Sequence, residues 1–287
     1  MVDFIALDIE LANPSLDSIC QIGLAAFTGD QIELWASYIN PEDYFSPLNE
    51  AVHGITAEIV RFAPTLPGVI DHLQQTLTQQ VVVTHTPFDK LAINRSLERY
   101  NLSAIDCTWL DSARVVRRAW TEYAASGYAL AKITQVLGIQ FAHHQAQEDA
   151  RAAGLVLLEA MKKTGLSLEE WLVRVNQPIA PGQRAKISRR GNPDGPLAGE
   201  VAVFTGALSI PRKQASDLAA EAGCDVRTSV SKKTTLLVVG DQDIRKLAGR
   251  TKSSKQRKAE ALISEGVDIR IVGESDFLRL TSESNSK

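Results

Sequence analysis

Asp8, Glu10, Asp89, His144 and Asp149 are side chains of the types that bind hard cations and move protons. Asp8 and Glu10 interrupt the apolar run FIALDIEL, which reads as a strand covered on both faces. Strand side chains alternate with period two, so both carboxylates leave the same face with their Cβ atoms close together. Two like charges on a low-dielectric face repel each other and lose hydration. Either both escape to solvent at the strand end or a cation lies between them. Asp89 follows Pro87 and Phe88 in the first turn of a helical stretch after VVVTH, and Asp149 opens another helix five residues after His144. Taken singly, each of these acids suits the positive end of a helix macrodipole, and a lone histidine suits a structural role. Taken together, four acids at strand and helix ends form an oxygen-only ligand set, which favours Mg²⁺ or Mn²⁺ over zinc.

The elements that must position these groups alternate along the chain. Strand-like runs at CQIGLAAF, QIELWASYI, VVVTH and DCTWLDS are interleaved with helical runs from about Pro87 to Tyr100, at YALAKITQVLG and at EDARAAGLVLLEAMKK. That pattern predicts an α/β fold. Five residues turn through about 500° of helix, so His144 and Asp149 cannot share a helical face, and His144 is expected in a loop before the helix. The stretch NQPIAPGQRAKISRRGNPDGP is rich in turn formers and reads as a linker. Charge changes sign there: residues 1–181 hold 12 Lys+Arg against 21 Asp+Glu, a net −9, while 182–287 hold 19 against 13, a net +6. The C-terminal part therefore suits a polyanion. A second small α/β unit follows in EVAVFTG, RKQASDLAAEAG, TTLLVVG, SSKQRKAEALISEG and VDIRIVG. Three scattered cysteines without CxxC spacing suit a reducing compartment and argue against zinc. No apolar run approaches the roughly 18 residues of a membrane span, and MVDFIALDIE lacks a basic signal-peptide start, so a cytoplasmic protein is expected.

In order and spacing, these motifs resemble the DEDD-type 3′–5′ exonucleases of the proofreading-subunit kind, over roughly residues 1–163. Asp8 and Glu10 match the Asp-x-Glu motif, Phe88 and Asp89 the Phe-Asp motif, and HQAQEDA the His-x-Ala-x-x-Asp-Ala motif. Gln145 stands where the tyrosine variant would have its catalytic residue, which makes this the histidine (DEDDh) variant. The resemblance implies a ribonuclease H-like domain with a mixed sheet. It further implies that Asp8, Glu10, Asp89 and Asp149 hold two Mg²⁺ or Mn²⁺ ions about 4 Å apart across the scissile phosphate, with His144 accepting the proton of the attacking water. The neighbouring His143 breaks the motif spacing and is expected to be solvent-exposed. The segment VHGIT resembles one that lines the terminal-nucleotide pocket, so Ile9, Leu11, His53, Ile55, His85 and Phe88 are expected to contact substrate. Leu11 stands where the family often has threonine, and His85 where it often has asparagine.

Residues 197–281 resemble a BRCT domain, most closely the single ones of bacterial DNA ligases and clamp-loader large subunits. Thr205 and Gly206 lie in the turn before one helix, where a hydroxyl and free backbone N–H groups can hold a phosphate, with Lys252 or Lys255 at the start of another. The other lysines there, Lys246 and Lys258 among them, read as a solvated face. The sequence thus predicts an exonuclease domain at 1–165, a linker at 166–196 and a BRCT domain at 197–281. Its expected activity is hydrolysis of DNA from 3′ ends to nucleoside 5′-monophosphates, with the BRCT domain recruiting phosphorylated 5′ DNA ends or a protein partner. An exoribonuclease or short-oligonucleotide hydrolase of the same superfamily, and a non-catalytic nucleic-acid-binding scaffold, are the alternatives.

Overall fold

The computed structural model describes residues 2–123, 128–179, 190–206, 208–240 and 253–282. The chain divides into two compact units, one of residues 1–45 with 53–179 and one of 46–52 with 180–287. No helix among the described residues is long and apolar enough to cross a membrane.

The first unit is built on a five-stranded mixed sheet of β1 (Phe4–Leu11), β2 (Ile19–Thr28), β3 (Gln31–Tyr38), β4 (Val81–Thr84) and β5 (Thr108–Asp111), ordered β3-β2-β1-β4-β5. β1 lies at its centre, antiparallel to β2 and parallel to β4. Phe4, Ile5, Ala6 and Leu7 are buried, and β1 becomes only half-buried from Asp8 onward. The acids therefore emerge where the strand leaves the core. The described helices here are α2 (Leu66–Leu77), α3 (Phe88–Arg99), α4 (Ser112–Ala119), α5 (Leu130–Leu137), α6 (Ala146–Thr164) and α7 (Leu168–Arg174), while α1 (Pro47–His53) falls in the second unit except for its last residue, His53. α6 is the longest, and it packs its small and apolar face, Ala150, Ala153, Val156, Leu157 and Ala160, into a cluster with Phe4, Phe27, Val83 and Leu110. Asp111 caps α4 by accepting hydrogen bonds from the N–H groups of Ala113 and Arg114.

The expected linker begins too early. Residues 168–174 form α7, started by a capping box between Ser167 and Glu170, and Trp171 is buried in the same core cluster as α6. Trp171 is an anchor that a linker would not bury.

The second unit has a parallel sheet ordered β7-β6-β8-β9, from β6 (Val201–Thr205), β7 (Asp225–Arg227), β8 (Leu236–Val239) and β9 (Arg270–Gly273). Its other helices among the described residues are α8 (Arg212–Glu221), α9 (Ser254–Ser264) and α10 (Glu274–Ser282). It also begins before residue 197: the N–H of Gly191 bonds Asp225 Oδ1 at 3.0 Å, and that of Asn192 bonds the Ala220 carbonyl at 2.7 Å.

Candidate active site

The site is assembled by long-range pairing that brings α6 onto the end of β1. Asp8 faces Gly23 and Glu10 faces Gln21 across the β1–β2 ladder. At Gly23 the missing side chain is what admits the helix: a Cβ there would lie 2.1 Å from both the Ala146 carbonyl carbon and the Gln147 nitrogen. Gln21 Oε1 then accepts the Ala146 N–H at 3.3 Å, satisfying one of the open donors at the helix start. Asp149, in the first turn of α6, is thereby delivered to β1. One carboxylate oxygen from each of Asp8, Glu10 and Asp149 lies within 4.8 Å of the others. Asp8 and Glu10 are half-buried and Asp149 is buried, so the three charges converge where water screens them poorly. A converging all-oxygen donor set suits Mg²⁺ or Mn²⁺. Asp89 stands outside that trio, buried in the first turn of α3, which follows β4 beside β1.

The ladder shifts register after Glu10, since Leu11 pairs with Ile19 rather than Cys20. Such a bulge re-aims the chain next to the acids. The Leu11 carbonyl accepts a hydrogen bond from His53 Nε2 at 3.0 Å, and His53 Nδ1 accepts the Ile55 N–H at 3.0 Å. Burial pushes the His53 imidazole below its ordinary pKa, so it is a neutral clamp tying residues 53–55 to the end of β1.

His144 lies in the turn before α6, with φ at +65°, and His143 is exposed, as expected from the sequence, but it is not without a partner. His143 Nδ1 is 2.6 Å from Asp149 Oδ1, while the Gln145 N–H bonds Asp149 Oδ2 at 3.1 Å. The two histidine rings stack at 3.8 Å.

A cleft of about 400 Å³ opens here, lined by Gln21, Ala36, Tyr38, His53, Ile55, His144, Gln145 and Gln147. His53, Ile55 and His144 of the expected substrate and catalytic residues thus share one wall. The others do not. His85 is 5% exposed, its Nε2–H donating to the Tyr128 carbonyl and its Nδ1 accepting from the Ser112 hydroxyl, both at 2.8 Å. Those two contacts pin the region around β5 and α4, and they leave His85 no nitrogen for substrate. Phe88 is likewise buried in the first turn of α3. Ile9 alternates to the opposite face of β1 from Asp8 and Glu10, and Leu11 is half-buried with its carbonyl engaged by His53. Sequence reading missed Gln21, Tyr38 and Gln147, because only the β1–β2–β3 register and the seating of α6 bring them together. The signal was faint: Gln21 and Gly23 share one face of a strand whose partner carries the acids.

Gly23→Ala is therefore expected to be costly far beyond one methyl group. Because the obstacle is backbone, α6 must retreat, with overpacking of about 1–3 kcal/mol and a displaced Asp149. Thermal unfolding and Mn²⁺ titration calorimetry should show both lower Tm and weaker ion binding; an unchanged ion affinity would contradict this account of how the helix is seated.

In the second unit, the Thr205 hydroxyl is 2.6 Å from the Ser253 hydroxyl, Lys255 Nζ donates to the Phe204 carbonyl at 2.9 Å, and Arg212 Nη2 donates to the Gly206 carbonyl at 2.7 Å. Gly206 has φ at +77°, and Ser253 caps α9 by accepting the Gln256 N–H. Burial, then the nearby Arg212, lowers the Lys255 pKa from its ordinary value. Two cations and two hydroxyls thus surround one turn. Lys258 is exposed, whereas Lys246 and Lys252 lie outside the described residues.

The Exonuclease family model matches residues 5–157, more than half of the chain, and the BRCA1 C Terminus (BRCT) domain model matches residues 192–280. The chain belongs to the Exonuclease family and carries a C-terminal BRCT domain. Its first unit has the ribonuclease H-like mixed sheet expected from the sequence. The 3′-5′ exonuclease DinG of Bacillus subtilis (strain 168) is 27% identical over 166 residues, 56% of this chain and 18% of that protein. The DNA polymerase III PolC-type of Streptococcus pneumoniae serotype 2 (strain D39 / NCTC 7466) is 27% identical over 165 residues, 56% of this chain and 11% of that one. The chain thus spans less than a fifth of the length of these curated relatives. A solved structure described as Exonuclease X in complex with 5′ overhanging duplex DNA is 20% identical with a TM-score of 0.49, covering 60% of this chain and 99% of that one.

Proposed function

We propose that this protein is a divalent-metal-dependent 3′–5′ exonuclease of the DEDDh type that shortens DNA and releases nucleoside 5′-monophosphates. The observation that carries the reading is the convergence of Asp8, Glu10 and Asp149 beside a cleft whose wall includes His144. Asp8, Glu10 and Asp149, with Asp89 completing the set, would hold two Mg²⁺ or Mn²⁺ ions. Bound there, such ions supply Lewis-acid polarisation of a phosphoryl oxygen and a lowered pKa for an attacking water. His144 would accept the proton of an attacking water, a task suited to an imidazole. The clamp at His53 fixes the cleft wall, and the cleft lining among the described residues holds no lysine, arginine or carboxylate, which suits a base and sugar better than a phosphate.

Polarity and substrate are supported by the relatives' names, one a 3′-5′ exonuclease and one a DNA polymerase. Three free cysteines agree with a cytoplasmic setting. Turnover on matched DNA and RNA oligomers tests the substrate: faster removal of deoxynucleotides supports the reading, and faster removal of ribonucleotides makes the protein an exoribonuclease.

The BRCT domain would recruit substrate through Thr205, Gly206 and Lys255, which take the phosphate of a 5′-phosphorylated DNA end. Thr205→Ala combined with Lys255→Ala should weaken binding to such DNA and flatten its salt dependence, because fewer counterions are displaced. Equal binding by variant and parent at every salt concentration would instead make the domain a protein-interaction module.

A further inference from the structure

We infer that His143 is a positioning residue that sets Asp149 and His144 together, the first by a hydrogen bond and the second by ring contact. The inference rests on the proposed reading of Asp149 as an ion ligand and His144 as the base. An ionised carboxylate only accepts hydrogen bonds, so the 2.6 Å contact from His143 Nδ1 to Asp149 Oδ1 places the proton on Nδ1. With the Gln145 N–H on Oδ2, each carboxylate oxygen of Asp149 has a donor from the turn, and rotation of the carboxylate about its own axis would break both bonds. Outer contacts of this kind orient metal ligands.

The same imidazole makes two ring contacts, one tilted and one stacked. Phe141 packs against it at 5.3 Å between ring centroids, and His144 stacks on it at 3.8 Å with the planes 21° apart. His144 also has φ at +65°, in the left-handed region that a side chain with a Cβ rarely adopts. Such a conformation persists where its surroundings over-determine it. Here the His143–His144 stack, the tilted contact of Phe141 with His143 and the bonds to Asp149 do so, and they keep His144 on the cleft wall.

The two contributions are separable by substitution. Asparagine places its Nδ2 where Nδ1 stands, keeping a donor and losing the ring; phenylalanine keeps the ring and loses the donor. His143→Phe should bind Mn²⁺ about 10- to 100-fold more weakly in titration calorimetry, the range typical of lost outer-shell contacts. His143→Asn should keep near-parental Mn²⁺ affinity but, at saturating ion, lower kcat by about 10- to 100-fold with KM little changed, because the base is misplaced. His143→Ala should show both losses. Parental Mn²⁺ affinity and kcat in His143→Ala would overturn the inference, as would tighter Mn²⁺ binding, which would mean that the imidazole competes with the ion. Asp149→Asn is the control: if it binds Mn²⁺ like the parent, the reading of the metal site fails, whatever His143 does.

Discussion

Asp149→Asn is expected to lower hydrolysis by at least about 10³-fold, the several kcal/mol of charge stabilisation that a bound divalent ion supplies at the transition state. Asparagine fills the same volume and can still accept the Gln145 N–H, so the start of α6 should survive. What disappears is one of the three charges within 4.8 Å. Without an ion those charges repel, and the fold tolerates the repulsion because β1 and α6 are fixed by packing far from the site. The metal-free variant should therefore have a Tm equal to or above that of the parent. Added Mg²⁺ should raise the parent's Tm, by up to about 2.7 kcal/mol of stability at a hundredfold excess over Kd, and raise the variant's less. Asp8→Asn should behave alike. Retention of more than a tenth of parental turnover by either variant would remove the basis for a metal centre here.

The second large effect is expected at His144, where His144→Ala should lower kcat by on the order of 10²–10⁴ while KM changes little. His144 lines the cleft and is not among the three converging ligands, so Mn²⁺ affinity should stay close to that of the parent. Single-turnover rates at saturating Mn²⁺ separate this from the His143 variants that weaken the ion itself. A silent His144→Ala would transfer the role of base to another group, with His143 the first to test.

The strand carrying Asp8 and Glu10, the helix after Phe88 and the helix that carries Asp149 were legible because each is a local periodic signal: apolar residues at period two or near 3.6, with an acid at a fixed place in the period. The same locality explains the turn at His144, which follows from counting degrees along a helix. Gly23 opposite Asp8, Gln21 opposite Glu10 and the shift at Leu11 depend on which strand pairs with which, and no window of sequence contains that pairing. His85 illustrates the cost: read beside the Phe-Asp motif it belonged with substrate, but Ser112 and Tyr128, distant in sequence, occupy both of its nitrogens. α7 was hidden for another reason. Its seven residues are too few to show a period, and the docking of buried Trp171 with half-buried Leu168 and Leu172 on the core depends on residues distant in sequence. His143 is exposed as expected, but its contacts were not foreseen, because motif spacing names one histidine whereas hydrogen bonding and stacking recruit its neighbour.

The central claim, that Asp8, Glu10, Asp149 and His144 form a metal-dependent site acting at 3′ ends, is tested most directly on one substrate: a single-stranded DNA oligomer labelled at its 5′ end, followed over time with Mg²⁺ and again with chelator. The account predicts a ladder of labelled products shortening by one nucleotide at a time from the 3′ end, with nucleoside 5′-monophosphate released and no reaction in chelator. Immediate loss of the label as a mononucleotide, internal cuts without a ladder, or undiminished turnover in chelator would contradict it.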